Sequence, residues 1–273
     1  MDIRPIGIFD SGLGGLSAVK EIAKILPNES IVYFGDTGRV PYGTKSNKTI
    51  IKYATQDEAF LLSQGVKMII AACGTVSSVA KETGENLGVP FLGVVEPSAK
   101  EAVRLTKVKK IGVIGTSATV KSGSYEKAIK ALDSSCEVFS VACPLFVSIV
   151  EQGWIEDDDE IALLTAKRYL QPLIEKGVDT LILGCTHFPL ISNTISRVMG
   201  ENVALISSGG ATAKAAAEIL KENNMLNDST IAFKKYFVSD SVEGFSSTAK
   251  LFLQQDDDMN VEQIGIENYG KKN

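Results

Sequence analysis

The stretches GVKMIIAAC (residues 65–73) and GVDTLILGC (residues 177–185) align without a gap, and each ends in one of the four cysteines of the chain. Each is a short apolar run after a glycine, a pattern that predicts a buried strand in a parallel sheet. A second pair, IGIFDSG (residues 6–12) and IGVIGTS (residues 111–117), repeats at nearly the same spacing. Two similar halves are the simplest explanation. The alternative is that any two buried parallel strands resemble each other.

The segments between the apolar runs have the features of helices. Residues 48–64 and 161–176 carry apolar side chains at roughly helical spacing with few helix breakers, so they predict crossover helices. Short strands that alternate with such helices are typical of βαβ units. We therefore predict an α/β fold of two similar domains, each with a largely parallel sheet flanked by helices. The polar tail after Asp256 predicts a weakly ordered end.

The charge pattern and the hydropathy argue against several kinds of partner. Lys and Arg total 28 against 33 Asp and Glu, and no basic cluster interleaved with aromatic residues occurs, so we expect no nucleic acid partner. No segment reaches the roughly 18 apolar residues of a membrane span, and the first residues lack the pattern of a signal peptide. We expect a soluble cytoplasmic protein without a membrane partner.

The four cysteines, Cys73, Cys136, Cys143 and Cys185, lie far apart and include no Cys-x-x-Cys pair. Reduced thiols are therefore expected, with no disulfide scaffold and no metal site. DSGLGG (residues 10–15) differs from the dinucleotide pattern, and no phosphate loop follows a strand, so no nucleotide cofactor is expected. Cys136 and Cys143 lie in or beside an apolar run and are interpreted as structural thiols.

Cys73 and Cys185 each fall at the carboxyl end of a predicted strand, where open parallel sheets bind their ligands. If the halves face one another, the two thiols approach a shared cleft. Inverting a stereocentre by proton transfer needs a base on one face of a carbon and an acid on the other, and two cysteines can serve. Because a free thiol has a pKa of about 8.5, a nearby group has to assist ionisation.

Two residues are candidates for that assistance. Asp10 ends the first predicted strand before a glycine-rich turn, although it could equally be a helix N-cap. His187 is the only histidine and follows Cys185 by two positions. This spacing also allows a cysteine hydrolase, but such enzymes bring their base from elsewhere in the fold. A non-catalytic two-domain ligand-binding protein is a further alternative.

Seven motifs in order resemble the cofactor-independent aspartate/glutamate racemase family, and within it the glutamate racemases. They are GIFDSGLGGL (7–16), YFGDTGRVPYG (33–43), AACGT (71–75), VVEPSA (94–99), IGVIGTSAT (111–119), ACPLFVSIVEQG (142–153) and LGCTHFPL (183–190). Together they span most of the chain.

The resemblance implies racemisation of glutamate, without cofactor or metal, by two cysteines on opposite faces of the substrate α-carbon. Cys73 would take the proton from D-glutamate, and Cys185 would take it from L-glutamate. Asp10 and His187 would assist Cys73 and Cys185, and Glu151 would orient His187. An aspartate racemase, or a racemase of another amino acid, is the alternative within the family.

The resemblance also implies a substrate site made of hydroxyls and backbone N–H groups. The residues expected to line the amino acid are Asp10, Ser11, Tyr42, Gly43, Gly74, Thr75, Thr116, Thr119, Thr186 and His187. Gly74 is a departure, because the family usually has asparagine at this position.

The family further implies a discontinuous first domain, residues 1–97 plus 209–273, and a second domain, residues 98–208, with the active site in the cleft between them. A homodimer is expected, and so is a role in supplying D-glutamate for peptidoglycan and the cell wall.

Overall fold

The computed structural model describes residues 2–229, 231–253 and 259–270. Within these residues the strands form two sheets, and every strand pairing is parallel. In chain order the strands are β1 Ile6–Asp10, β2 Ile31–Gly35, β3 Met68–Ala71, β4 Phe91–Gly93, β5 Lys110–Gly115, β6 Glu137–Ala142, β7 Thr180–Leu183, β8 Ala204–Ser207, β9 Lys234–Val238 and β10 Val261–Gln263. The predicted α/β class with two parallel sheets is confirmed.

The two sheets share one strand order. The second sheet has the order β6-β5-β7-β8, and the first contains the matching order β2-β1-β3-β4, extended by β9 and β10 beside β2. The aligned runs 65–73 and 177–185 therefore supply β3 and β7, which hold equivalent positions, and the second pair of runs supplies β1 and β5. The similarity of the halves, predicted from the repeat, is confirmed at the level of topology.

Helices flank both sheets, as predicted. They are α1 Leu16–Ile25, α2 Asn47–Ser63, α3 Gly74–Val79, α4 Val95–Leu105, α5 Ser117–Ser122, α6 Ser124–Leu132, α7 Pro144–Glu151, α8 Glu160–Lys176, α9 Ser192–Met199, α10 Ser208–Glu222 and α11 Val242–Leu253. The predicted crossover helices correspond to α2 and α8. Each begins at a capped residue, because Ser46 and Asp159 accept backbone N–H bonds from Thr49 and Ala162.

A left-handed glycine ends each of these two helices. Gly65 and Gly177 both have φ of +68°, a conformation that costs a residue with a Cβ additional strain. In both halves the chain then turns directly into the strand that leads to a cysteine. The repeat in the sequence therefore preserves the turn as well as the strand.

Residues 259–270, near the end of the chain, are more ordered than the sequence predicted. Val261–Gln263 pairs with β9, Ile266 is buried, and the ring of Tyr269 packs edge-on against Phe60 with centroids 5.2 Å apart. The expectation of a weakly ordered tail is wrong for residues 259–270, because a few spaced apolar side chains suffice to dock an edge strand. Residues 256–258 and 271–273 of that tail lie outside the described residues.

One large apolar cluster crosses from the first sheet to the second. It includes Ile8 of β1 and Ile70 of β3 as well as Leu181 of β7, with Phe188 buried among them. Helix α10, which follows β8, packs against α1 of the first half. The halves are thus joined by a common core beneath the carboxyl ends of their central strands. No helix within the described part of the chain is long and apolar enough to cross a membrane.

Candidate active site

A cavity of about 360 Å³ lies at the carboxyl ends of strands from both sheets. Its walls come from the loops after β1, β2, β3, β5 and β7 and from α7. The predicted site residues that line it are Ser11, Tyr42, Gly43, Cys73, Gly74, Thr75, Thr116, Glu151, Cys185, Thr186 and His187. Both cysteines of the repeated runs thus reach one cavity, each from its own half.

Two predicted contacts are not in this lining. Asp10 is buried behind it, where its Oδ2 accepts the N–H of Gly12 at 2.9 Å and its Oδ1 has no hydrogen-bond partner among the described residues. Burial raises the pKa of Asp10, and the positive charge of His187 opposes this rise. Thr119 is also buried, and its Oγ1 lies 3.0 Å from Oγ1 of Thr116. Asp10 and Thr119 therefore face residues of the lining without reaching the cavity themselves.

Cys73 lies directly before α3, with its thiol in a buried position. Its Sγ–H donates to Oγ of Ser11 at 3.6 Å. Burial, reinforced by the carboxylate of Asp10, raises the pKa of Cys73 to about 12. The thiol of Cys73 is consequently protonated at neutral pH.

Cys185 follows β7 and has the histidine as its neighbour. Nδ1 of His187 lies 3.9 Å from Sγ of Cys185, and Nε2 lies 3.1 Å from Oε1 of Glu151. Burial alone would lower the pKa of His187, but the bonds to Cys185 and Glu151 outweigh it and raise the pKa to about 10. The ring also packs edge-on against Phe252 of α11, with centroids 5.4 Å apart. The site thus holds a fixed imidazolium beside one of its two thiols.

A row of hydroxyl groups crosses from one half to the other. Oγ1 of Thr75 lies 3.0 Å from Oγ1 of Thr116, which in turn lies 3.0 Å from Oγ1 of Thr119. Thr116 also caps α5 by accepting the N–H of Thr119 at 3.2 Å. The hydroxyls of Thr75 and Thr116, which line the cavity, can donate hydrogen bonds to an anionic ligand there.

Comparison with known proteins decides the family. The sequence profile of the family described as Asp/Glu/Hydantoin racemase matches residues 10–216. The chain belongs to this racemase family.

Similar proteins match this racemase over almost its whole length. A glutamate racemase of Geobacter metallireducens is 47% identical over 93% of this chain and 94% of its own. One from Sulfurihydrogenibium sp. is 46% identical over 96% of this chain and 97% of its own. The crystal structure of the Francisella tularensis glutamate racemase in complex with D-glutamate has a TM-score of 0.91 at 39% identity, and it covers 98% of this chain and 100% of that one.

Tyr42 lines the cavity of the racemase, but its hydroxyl bonds two carboxylates outside that lining. It bonds Oδ2 of Asp36 at short range and Oδ2 of Asp57 at 3.1 Å, both of which are buried. Arg39 completes the cluster, with Nε 2.6 Å from Asp36 and Nη2 3.0 Å from Asp57. Its guanidinium also lies 4.0 Å from the ring centroid of Tyr53. Tyr42 therefore contributes the wall of the cavity and not a donor.

Sequence reasoning missed one face of α7. Pro144, Val147 and Ser148 line the cavity together with Glu151. These residues precede Glu151 by three, four and seven positions, which places all of them on one side of a helix. The prediction that Glu151 lines the site could therefore have indicated them. Leu13 and Val40 also line the cavity and carried no such signal.

No group of three or more His, Cys, Asp or Glu residues within the described ranges is arranged to hold a metal ion. The polar side chains that line the cavity are two thiols, the imidazole of His187, the carboxylate of Glu151 and several hydroxyls. A thiol from each half next to one small polar cavity suits acid–base chemistry at a carbon atom.

Proposed function

We propose that this chain is a glutamate racemase, an isomerase that interconverts L- and D-glutamate with Cys73 and Cys185 as its two acid–base groups and without a cofactor. The observation that carries the proposal is that these thiols follow equivalent strands of two repeated halves and line one cavity. Relatives named glutamate racemase, at 47% and 46% identity, support the choice of substrate.

In the direction from L-glutamate, the thiolate of Cys185 takes the α-proton. The carbanion that results is then protonated on its other face by the thiol of Cys73, which gives D-glutamate. The proton count of the protein is unchanged, but the two cysteines have exchanged roles. The raised pKa of Cys73, about 12, supports its role as the acid of this direction.

After this turnover one proton must leave Cys185 and one must reach Cys73, and His187 and Asp10 assist the two cysteines. The imidazolium of His187 stabilises the thiolate of Cys185 by its charge, and Glu151 holds the ring through the 3.1 Å bond to Nε2. Asp10, whose Oδ1 has no hydrogen-bond partner within the described part of the chain, accepts or supplies the proton on the side of Cys73. In the direction from D-glutamate the same groups act in reverse order.

The polar lining holds the two carboxylates and the ammonium of glutamate. Ser11, Thr75, Thr116 and Thr186 supply hydroxyls, and Thr119 orients Thr116 through the 3.0 Å contact between their oxygens. Tyr42, Gly43 and Gly74 supply walls and backbone groups. Donors fixed around the α-carboxylate also stabilise the negative charge that develops when the α-proton leaves.

The test is incubation of the purified chain with L-glutamate in D₂O, without added cofactor or metal. Loss of the circular dichroism of the amino acid, together with deuterium at the α-carbon of D-glutamate, is the expected result. Activity on aspartate alone would move the proposal to aspartate racemase. Ligand binding with neither optical change nor deuterium would favour a non-catalytic binding protein.

We place the domain boundaries at residues 1–97 plus 209–273 and 98–208, since the strands of the two sheets fall on either side of these limits. The racemase is a cytoplasmic homodimer that supplies D-glutamate for peptidoglycan. Sedimentation of the purified chain tests the dimer. Growth of a bacterium that requires D-glutamate, restored by this chain but not by its Cys73→Ala variant, tests the supply of D-glutamate.

A further inference from the structure

Three glycines of the first half face the second half across the site. A Cβ on Gly74 would fall well inside van der Waals distance of the carbonyl oxygen of Gly184, and one on Gly14 would overlap Oγ1 of Thr186. A Cβ on Gly43 would lie 2.8 Å from Cβ of Thr116. Side-chain carbons in proteins pack at about 3.5–4.0 Å, so each position leaves no room for even a methyl group.

Backbone conformation does not account for these glycines. The glycines with positive φ in the described ranges are residues 65, 88, 123, 153, 177, 200 and 270, and the three that face the second half are not among them. Positive φ is not what requires glycine at these positions, and the family usually has asparagine at position 74, so the close approach across the cleft in this chain is what leaves no room for a side chain.

These glycine contacts lie next to the two cysteines and the histidine of the site. Gly74 follows Cys73, and Gly184 precedes Cys185, so the backbones of the two cysteine loops touch with no side chain between them. A Cβ on Gly14 would also lie 2.7 Å from Nδ1 of His187, the nitrogen that faces Cys185. The separation of the two halves is therefore fixed within one or two residues of both cysteines.

Hydrogen bonds hold the halves at this short separation. Oγ of Ser17, in α1, donates to the carbonyl of Thr186 at 3.1 Å, and the Thr75–Thr116 contact of 3.0 Å crosses beside Gly74. Farther out, Oγ of Ser124 donates to Oγ of Ser78 at 2.9 Å. The glycines permit the approach, and the hydroxyls maintain it.

We propose that Gly14, Gly43 and Gly74 are positioning residues that set the distance between the two acid–base thiols. This inference rests on the proposed function, because the distance matters only if both thiols act on one α-carbon. A methyl group at any of the three positions forces the loops apart. A displacement of about 1 Å of a reacting group can cost roughly 100-fold in rate.

The experiment uses Gly14→Ala, Gly43→Ala and Gly74→Ala of the full chain, with Gly210→Ala as the matched control. A Cβ on Gly210 has its nearest neighbours at 3.8 Å, so that variant meets no obstacle. Racemisation of D- and L-glutamate is measured in D₂O, and deuterium in the recovered substrate is compared with deuterium in the product. Thermal melting identifies the variants that fold.

The expected result is a fall in kcat of about 100-fold in the three cleft variants, with a smaller change in KM and none in the control. The rate at which deuterium enters the recovered substrate should fall less than the rate of racemisation. One thiol still reaches the α-proton, while the second is displaced. A general structural defect would reduce exchange and inversion together, and that result would overturn the inference.

The inference also fails if any folded cleft variant racemises glutamate within threefold of the rate of the unmodified chain. If Gly74→Ala does not fold, Gly14→Ala and Gly43→Ala carry the same test at separate contacts. If the unmodified chain has no racemase activity, both the proposed function and this inference are wrong. If the unmodified chain is active and the cleft variants are unaffected, only the inference is wrong.

Discussion

Nε2 of His187 lies 3.1 Å from Oε1 of Glu151, which joins the only histidine of the chain to the helix at the mouth of the cavity. Nδ1 lies 3.9 Å from the sulfur of Cys185, so both ring nitrogens have a polar neighbour. An imidazole in this position favours its charged form.

We predict that His187 remains protonated through neutral pH and titrates near pH 10, the value to which its two hydrogen bonds raise its pKa against the effect of burial. NMR of the ring carbons gives a direct measurement, since no other histidine contributes a signal. Glu151→Gln should lower the pKa by removing the carboxylate. A titration at or below pH 6.5 in the folded protein would contradict the assignment.

The raised pKa of His187 also makes the free energy of unfolding depend on pH. Because the pKa of His187 is raised above its unfolded value of about 6.5, the folded state binds the proton more tightly. Its contribution to the free energy of unfolding is therefore fully present below pH 6.5 and is lost as pH rises towards 10. Urea unfolding of the chain and of Glu151→Gln between pH 6 and 10 should show the two stabilities converging as pH rises.

Replacing either Cys73 or Cys185 by alanine should reduce racemisation by at least about 10³-fold, because each removes one of two required proton carriers. Cys136→Ala is the control, since Cys136 is buried in an apolar cluster away from the cavity. The measurement is the polarimetric rate in both directions. A Cys73 or Cys185 variant that keeps more than a few per cent of the rate would exclude the two-base scheme.

The rate of alkylation of Cys73 should increase about tenfold per pH unit from pH 7 to near 11, because only the thiolate reacts and the pKa of Cys73 is about 12. Iodoacetamide labelling read by peptide mass spectrometry measures it. Asp10→Asn should increase the rate at each pH, since it removes a negative charge that disfavours the thiolate. An alkylation rate that reaches its plateau below pH 9 would contradict the raised pKa of Cys73.

Tyr42→Phe should leave KM for glutamate within about twofold, because the hydroxyl is directed to Asp36 and Asp57 and not to the cavity. The same change should lower the free energy of unfolding by about 1–3 kcal/mol, since two buried carboxylates lose a donor. Urea unfolding and steady-state kinetics test both parts. Tyr53→Phe is the control, because the ring of Tyr53 packs beside Arg39 and Tyr42. A large rise in KM for Tyr42→Phe would instead indicate that the hydroxyl of Tyr42 contacts the substrate.

The sequence predicted the strands that carry the chemistry because a buried parallel strand is an apolar run, and the run stops where the sheet ends. Cys73 and Cys185 stand at those ends, so their common location followed from the pattern. His187 could be associated with Cys185 for the same local reason.

The remaining contacts depend on tertiary packing, and no local pattern contains that information. The bond from Tyr42 to Asp57, the ring contact of Phe252 with His187 and the approach of Gly74 to Gly184 all join distant parts of the chain. Edge strand β10 was missed because its apolar residues are too few to form a run.

The shared strand order of the two sheets makes Cys73 and Cys185 two copies of a single position. The two enantiomers of an amino acid are mirror images, and a duplicated half can offer each of them the same functional group from its own side. A protein of half this length that paired with a second copy of itself would already bring two such cysteines together. Fusion of the copies would then free each half to acquire the assistant that we propose for its cysteine, Asp10 in one half and His187 in the other.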